Sequence, residues 1–294
     1  MGDDGDGAFR PPSRADLEPD PEAVVSNATA AAPARASAER WRLSPVTLRW
    51  LCLAALVAVW EVAPRAGWVP QVILAPPSAA LVEGLAEWDF FASALAFTFG
   101  EILASLIFAY GLGGLLGLVI GLSPFGRRAA LPLVSSIYAL PLIVIYPVMT
   151  AWFGIGPASK IWFASLYGIF PVILATAAGV QLVDRKLITM ARAQGASFWP
   201  MMTEVIIPAA LPAVVSGLRV GGALVTVGVV VAEMLASTDG IGFLITQNRT
   251  MFRTPQVYFG ILLVLVLAGG LDTLISRLER RASRWRPLQD SSHE

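Results

Sequence analysis

Residues 129 to 180 contain a single charged side chain, Lys160, within about fifty residues, whereas a helix needs only roughly 20 apolar residues to cross a bilayer core. Such a run has few destinations. In hydrocarbon every backbone N–H and C=O must be bonded within the chain, so the run is helical, and its length requires two spans folded back on each other. The fold-back is FGIGPASK, residues 153 to 160, where Gly154, Gly156 and Pro157 supply turn chemistry. The rest of the chain is of the same material, 56% hydrophobic and 14% charged, against about 25% charged for an ordinary soluble domain. Net charge is zero, so no overall basic field argues for nucleic acid.

Four further runs read as spans: 46 to 63, with Arg49 and Glu61 snorkelling from its ends; 97 to 122, with Glu101 near its start; 209 to 232; and 257 to 275. The expectation is an all-α membrane protein with six transmembrane helices in a domain over residues 45–280. Residues 1–44 are rich in Asp, Glu, Pro, Ala and Ser without helical or strand periodicity, which predicts a disordered tail. They show no basic start, apolar core and small-residue cleavage site, so insertion is expected to begin with the first helix. Residues 281–294 form a second tail. Basic residues set the orientation. Arg35, Arg40, Arg42 and Arg49 precede or open the first span, Arg127 and Arg128 lie between the second and third, and Arg185, Lys186 and Arg192 lie between the fourth and fifth. Arg277, Arg280, Arg281, Arg284 and Arg286 follow the sixth, while the opposite side holds Arg65, Lys160, Arg249 and Arg253. The positive-inside rule places both termini in the cytoplasm.

The composition narrows the chemistry. There is one Cys, Cys52, read as a small buried hydrophobe, and one His, His293, next to the C-terminus. No disulfide, zinc site or Ser-His-Asp arrangement can be assembled from these, and no metal is expected. A P-loop needs Gly-Lys followed by Ser or Thr. The only lysines, Lys160 and Lys186, follow Ser and Arg, so no cofactor, ATP included, is expected on this chain.

Residues 182–208 carry more structure than a connector requires. DRKLITMARAQ has helix formers and is followed by Gly195, a stop that accepts a left-handed backbone. Ser197 fits an N-cap, Pro200 falls in the first turn of a second helix, and Pro208 and Pro212 mark entry to the fifth span. The result is a short surface helix, a Gly hinge and a second helix returning to the bilayer.

Here the chain resembles the membrane-spanning permease subunit of a bacterial ABC importer, of the branch that includes nitrate, sulfonate, taurine and pyrimidine-precursor uptake systems. That family's cytoplasmic signature is Glu-Ala-Ala, three residues, Gly, nine residues, then Ile-x-Leu-Pro. This chain reads TMARAQG from Thr189 to Gly195, nine residues from Ala196 to Glu204, then VIIP from Val205 to Pro208. Thr189 and Met190 depart from the signature, Ala191 matches, and Val205 and Ile207 are conservative changes. Further matches in the family's order are LAPPSAAL at 74 to 81, LPLIVIYPVMTAWFGIGPASKI at 140 to 161, GLR at 217 to 219, AEM at 232 to 234 and GIGFLI at 240 to 245.

The resemblance implies a type I ABC importer permease fold and a role in the bacterial inner membrane. It implies a cytoplasmic ATP-binding subunit that spends the ATP, an extracytoplasmic solute-binding protein that delivers a small solute such as a sulfonate or nitrate, and a second permease copy, a homodimer. The coupling element to the ATPase would be Thr189, Met190, Ala191, Arg192, Gly195, Ala196, Ser197 and Pro208. Pathway candidates are Arg219, Glu233 and Tyr146, with Glu233 and Asp272 read as interfacial. Arg219, seven residues past Pro212, can also snorkel to the cytoplasmic face. Gly113, Gly117 and Gly121 form a small-residue stripe read as packing within one subunit. Residues 240–255 are expected as an external loop or short interfacial helix. A channel or secondary transporter is the alternative, and would need charged rings or paired ionisable groups at midplane. An intramembrane protease is disfavoured by the lack of His-Glu-x-x-His and of an aspartyl dyad.

Overall fold

A computed structural model describes residues 44–283; the expectations for the N-terminal tail, for most of the C-terminal tail and for His293 lie outside them. The helices are α1 (Pro45–Arg65), α2 (Pro77–Ala86), α3 (Trp88–Leu122), α4 (Leu131–Tyr138), α5 (Tyr146–Phe153), α6 (Pro157–Gln181), α7 (Arg185–Ala193), α8 (Ile207–Leu235), α9 (Ile241–Thr250) and α10 (Thr254–Ser283). The chain divides into two units, residues 1–58 and 59–294. In the first, the described residues are the apolar body of α1, exposed along its length, with Cys52 exposed rather than buried. An apolar helix with no polar face is what a lipid-facing segment requires.

In the second unit, α3, α6 and α8 pack as the central bundle. The glycine stripe explains how closely. A Cβ placed on Gly117 would lie 2.6 Å from Thr176 Cβ and 2.8 Å from the Ile173 carbonyl, and Gly113 and Gly121 face Val172 and Val180 in the same way. The stripe is therefore a seam between α3 and α6 inside one chain, as expected. Lipid tails are as apolar as Leu, so helices in a bilayer gain little from burying apolar area against each other and depend on such close backbone approach. The core continues along the bundle. Phe91 and Phe259 meet edge to face at 4.8 Å near one end, Ile102, Leu106, Val225 and Val229 fill the middle, and Val180, Met201, Met202 and Ile206 close the other end.

Among the described residues five helices are long and apolar enough to cross a membrane. The expected third span is the exception. It is broken into Gly126–Tyr138 and Leu142–Phe153, which meet at 82°, because Pro141 removes an amide donor and its ring disfavours helix in the residue before it. The expected fold-back follows, with Gly154 at φ +76° and Pro157 opening α6. Two helices run longer than the apolar pattern predicts: α3 begins at Trp88, and the fifth span is one continuous run from Phe198 to Leu235. Glu61 does not snorkel. It accepts the Ser78 amide and hydroxyl at 3.1 and 2.6 Å at the start of α2, and Arg65 lies 2.7 Å away.

Candidate functional site

The loop between α6 and α8 has the anticipated grammar with two changes. Asp184 caps α7, its carboxylate accepting the Lys186 amide at 2.8 Å. α7 then ends at Gly195, whose φ is +80°, with the Ala196 amide bonded to the Ala191 carbonyl at 3.0 Å. A Cβ on Gly195 would meet nothing within 4 Å. The glycine is there for its backbone conformation and not for space. Ser197 occupies the cap position in an extended conformation, but its side chain makes no capping bond. The second helix is not a separate surface piece: it passes through a π turn, Met201–Ile206, directly into α8, with Met201, Met202 and Ile206 buried.

The outer side of this loop is unusual. Thr189, Met190, Arg192, Gly195, Ser197 and Pro208 are exposed, and Ala191 and Ala196 are half-buried. Leu182, Met190, Phe198 and Trp199 are 81%, 62%, 63% and 73% exposed. The Thr189 hydroxyl is turned inward, donating to the Arg185 carbonyl at 2.9 Å. Apolar side chains gathered beside Arg185, Lys186 and Arg192 form the kind of patch that marks a protein contact.

Further into the bundle, Arg219 of α8 meets Asp272 of α10 through two parallel bonds, Nε to Oδ1 at 2.7 Å and Nη2 to Oδ2 at 3.0 Å. Sequence reading singled out both residues but did not pair them, since 53 residues separate them. Both are about half exposed. They flank a cavity of about 540 Å³ whose wall is otherwise largely aliphatic, with Ala223, Val230, Val264 and Ala268 among its lining.

Glu233 and Tyr146 stand elsewhere. Glu233, two residues from the end of α8, is 1% exposed and accepts the Thr98 hydroxyl at 2.7 Å and the Gly242 amide at 2.8 Å. Tyr146 is 2% exposed, donates to the Ala236 carbonyl at 2.9 Å and packs on Phe163, so neither faces an open route in this structure. Beside them Lys160, expected in a loop, is buried with its ammonium 2.5 Å from Glu101 Oε1. This buried ionic cluster is the feature that sequence reading missed. The signal available was the isolation of Glu101, Lys160 and Glu233 in apolar runs, since a buried charge needs a partner. The helix α9 within residues 240–255 is also more deeply set than expected, with Ile241, Ile245 and Asn248 buried. Among the described residues no group of three or more His, Cys, Asp or Glu is gathered to hold a metal ion.

The family of binding-protein-dependent transport system inner membrane components matches residues 109–284, more than half of the chain. The chain is a member of that family. It is similar to the putative aliphatic sulfonates transport permease protein SsuC of Escherichia coli, 32% identical over 81% of this chain and 91% of that protein. It is likewise 32% identical to the taurine transport system permease protein TauC of the same organism, over 84% and 92%. Its fold is that of a chain in an inward-facing conformation of the MetNI methionine ABC transporter, with a TM-score of 0.59 over 67% of this chain and 98% of that one, at 17% identity. The protein is thus the permease of a binding-protein-dependent ABC importer, a multi-pass inner membrane protein and not an enzyme. The family implies an ATP-binding subunit and a solute-binding protein as partners.

Proposed function

We propose that this permease forms, as two copies facing each other, the route for a small anion such as a sulfonate or nitrate, and that residues 182–208 are its coupling element. The ATP-binding subunit docks on this loop in the cytoplasm, on the same side as both termini. The observation that carries the reading is the loop itself: a capped helix, a left-handed Gly195 and a rigid return into α8, with Met190, Phe198 and Trp199 left in the open. A mere connector has no need to display apolar side chains. The sulfonate class is supported by the names of the two E. coli relatives.

Two substitutions test the coupling element. Gly195→Val adds no clash, only a strained backbone worth about 1 kcal/mol or somewhat more, so insertion should stay near normal while ATPase association or transport is lost. Ala191→Glu, which sets a charge on the half-buried face of α7, should do the same. Normal uptake and substrate-stimulated ATP hydrolysis in both variants, with the ATPase still bound, would return the loop to a connector. The orientation is tested by labelling. On a Cys52→Ser background, Ser197→Cys should react only with reagent that reaches the cytoplasm and Thr238→Cys with impermeant reagent outside; the reverse would remove the docking side altogether.

A further inference from the structure

At the end of the bundle remote from the coupling loop, Glu101 of α3, Lys160 of α6 and Glu233 of α8 are 4%, 1% and 1% exposed. Their hydrogen bonds are nearly complete. Lys160 contacts Glu101 Oε1 at 2.5 Å and donates to Ser237 Oγ at 2.9 Å, while Glu233 takes Thr98 on one oxygen and the Gly242 amide on the other. Glycine lets the backbone close over it: a Cβ on Gly240 would lie 2.1 Å from Glu233 Oε1. Glu101 is the exception: neither of its oxygens accepts a hydrogen bond, and Oε1 has the Lys160 ion contact alone. Glu101 Oε2 is enclosed and receives no hydrogen bond, and Glu101 stands one turn along α3 from Thr98, the residue whose hydroxyl binds Glu233.

The charges do not balance. Two carboxylates face one ammonium, and the nearest further charge, Asp239 on the turn after α8, is also negative. Tyr146 from α5, Ser159 from α6 and Thr98 from α3 are neutral, α9 contributes backbone amides, and among the described residues no second cation is paired with either glutamate. A surplus buried charge is among the least tolerable features of a protein interior. Two enclosed carboxylates that share one ammonium leave one charge uncompensated, and burial then favours the neutral form of one of them.

We infer that the Glu101–Glu233 pair is a binding site for one added unit of positive charge, a proton or a single sodium ion, held beside Lys160. A proton on one carboxyl donates to the other, which neutralises the surplus and supplies the donor the Glu101 carboxyl lacks. A sodium ion would do so by coordination, drawing on the same oxygens. The occupied site ties α3, α6, α8 and the start of α9 into one body.

The test uses the assembled transporter in sodium-free potassium buffer above neutral pH, where exposed carboxyls are ionised. Its infrared spectrum should contain the carbonyl stretch of a protonated glutamic acid, shifted by deuterium exchange and by carbon-13 glutamate. Glu101→Gln and Glu233→Gln should each abolish it. Either variant leaves one carboxylate against one ammonium, with an amide donor where the proton was. Raising the pH withdraws the proton from the wild type, so its melting temperature should fall, whereas both variants should show a flatter dependence. The sodium form is recognised by the absence of the acid band together with a melting temperature that sodium raises in the wild type and not in the variants. Should neither variant assemble, the isotope-shifted band and the sodium response of the wild type still decide. A wild type with no acid band and no response to sodium overturns the inference, as does an acid band that persists in both variants.

Discussion

The two ends of the α3, α6 and α8 bundle solve opposite problems. At one end charged groups are sealed from solvent and given partners within the chain; at the other, apolar side chains of the α7 loop are left in the open beside basic residues. Water can solvate neither an enclosed charge nor an exposed Trp199 at no cost. The first end resolves this internally; the second would resolve it under the proposed ATP-binding subunit. The difference teaches where to expect stability and where to expect function: damage to the sealed end should unfold the protein, and damage to the open end should disconnect it.

That contrast can be broken most forcefully at Lys160. Lys160→Met removes the cluster's only ammonium and leaves its glutamates facing each other, and breaking a buried pair in this way costs about 3–5 kcal/mol. The expected outcome is a sharp fall in inserted protein, measured as membrane abundance and as the melting temperature of whatever survives. Wild-type abundance would mean that the sealed end is not where stability lies. A smaller loss should follow Gly117→Val, where the added Cβ meets Thr176 and the Ile173 backbone inside 3 Å. Overpacking of this kind costs about 1–3 kcal/mol, read as a lower melting temperature. The smallest effect on stability should come from the open end. Trp199→Ala, at a position 73% exposed, should change stability by no more than about 0.5 kcal/mol yet reduce the ATPase retained on purification. If it destabilised the permease as Gly117→Val does, the exposed loop would not differ in kind from the packed bundle.

Much of this was legible in the amino-acid sequence. Long apolar runs announce helices because hydrocarbon leaves the backbone no alternative, and Gly195 and Pro157 acted where local conformational rules alone decide. The broken third span was less legible: its apolar character is uniform, and only Pro141 hinted at the bend. Partnerships were the least legible. Arg219 and Asp272 each stand on a different helix, and Glu101, Lys160 and Glu233 on three, so their meeting depends on how helices rotate against each other in three dimensions. The helix, the Gly195 turn and the return into α8 were legible because their signals are local in the chain.

The lengths of the central helices have a consequence of their own. α3 has 35 residues and the run from Phe198 to Leu235 has 38, whereas α6, packed between them, has 25. At the rise of an α-helix these are about 52, 57 and 37 Å, set against a hydrocarbon core of about 30 Å. Rods longer than the film that holds them must lean or protrude. Because the three are joined along close-packed seams, they lean or protrude as one body. A change in bilayer thickness therefore acts on all three as a unit, and on the loop of residues 182–208 that the longest of them carries.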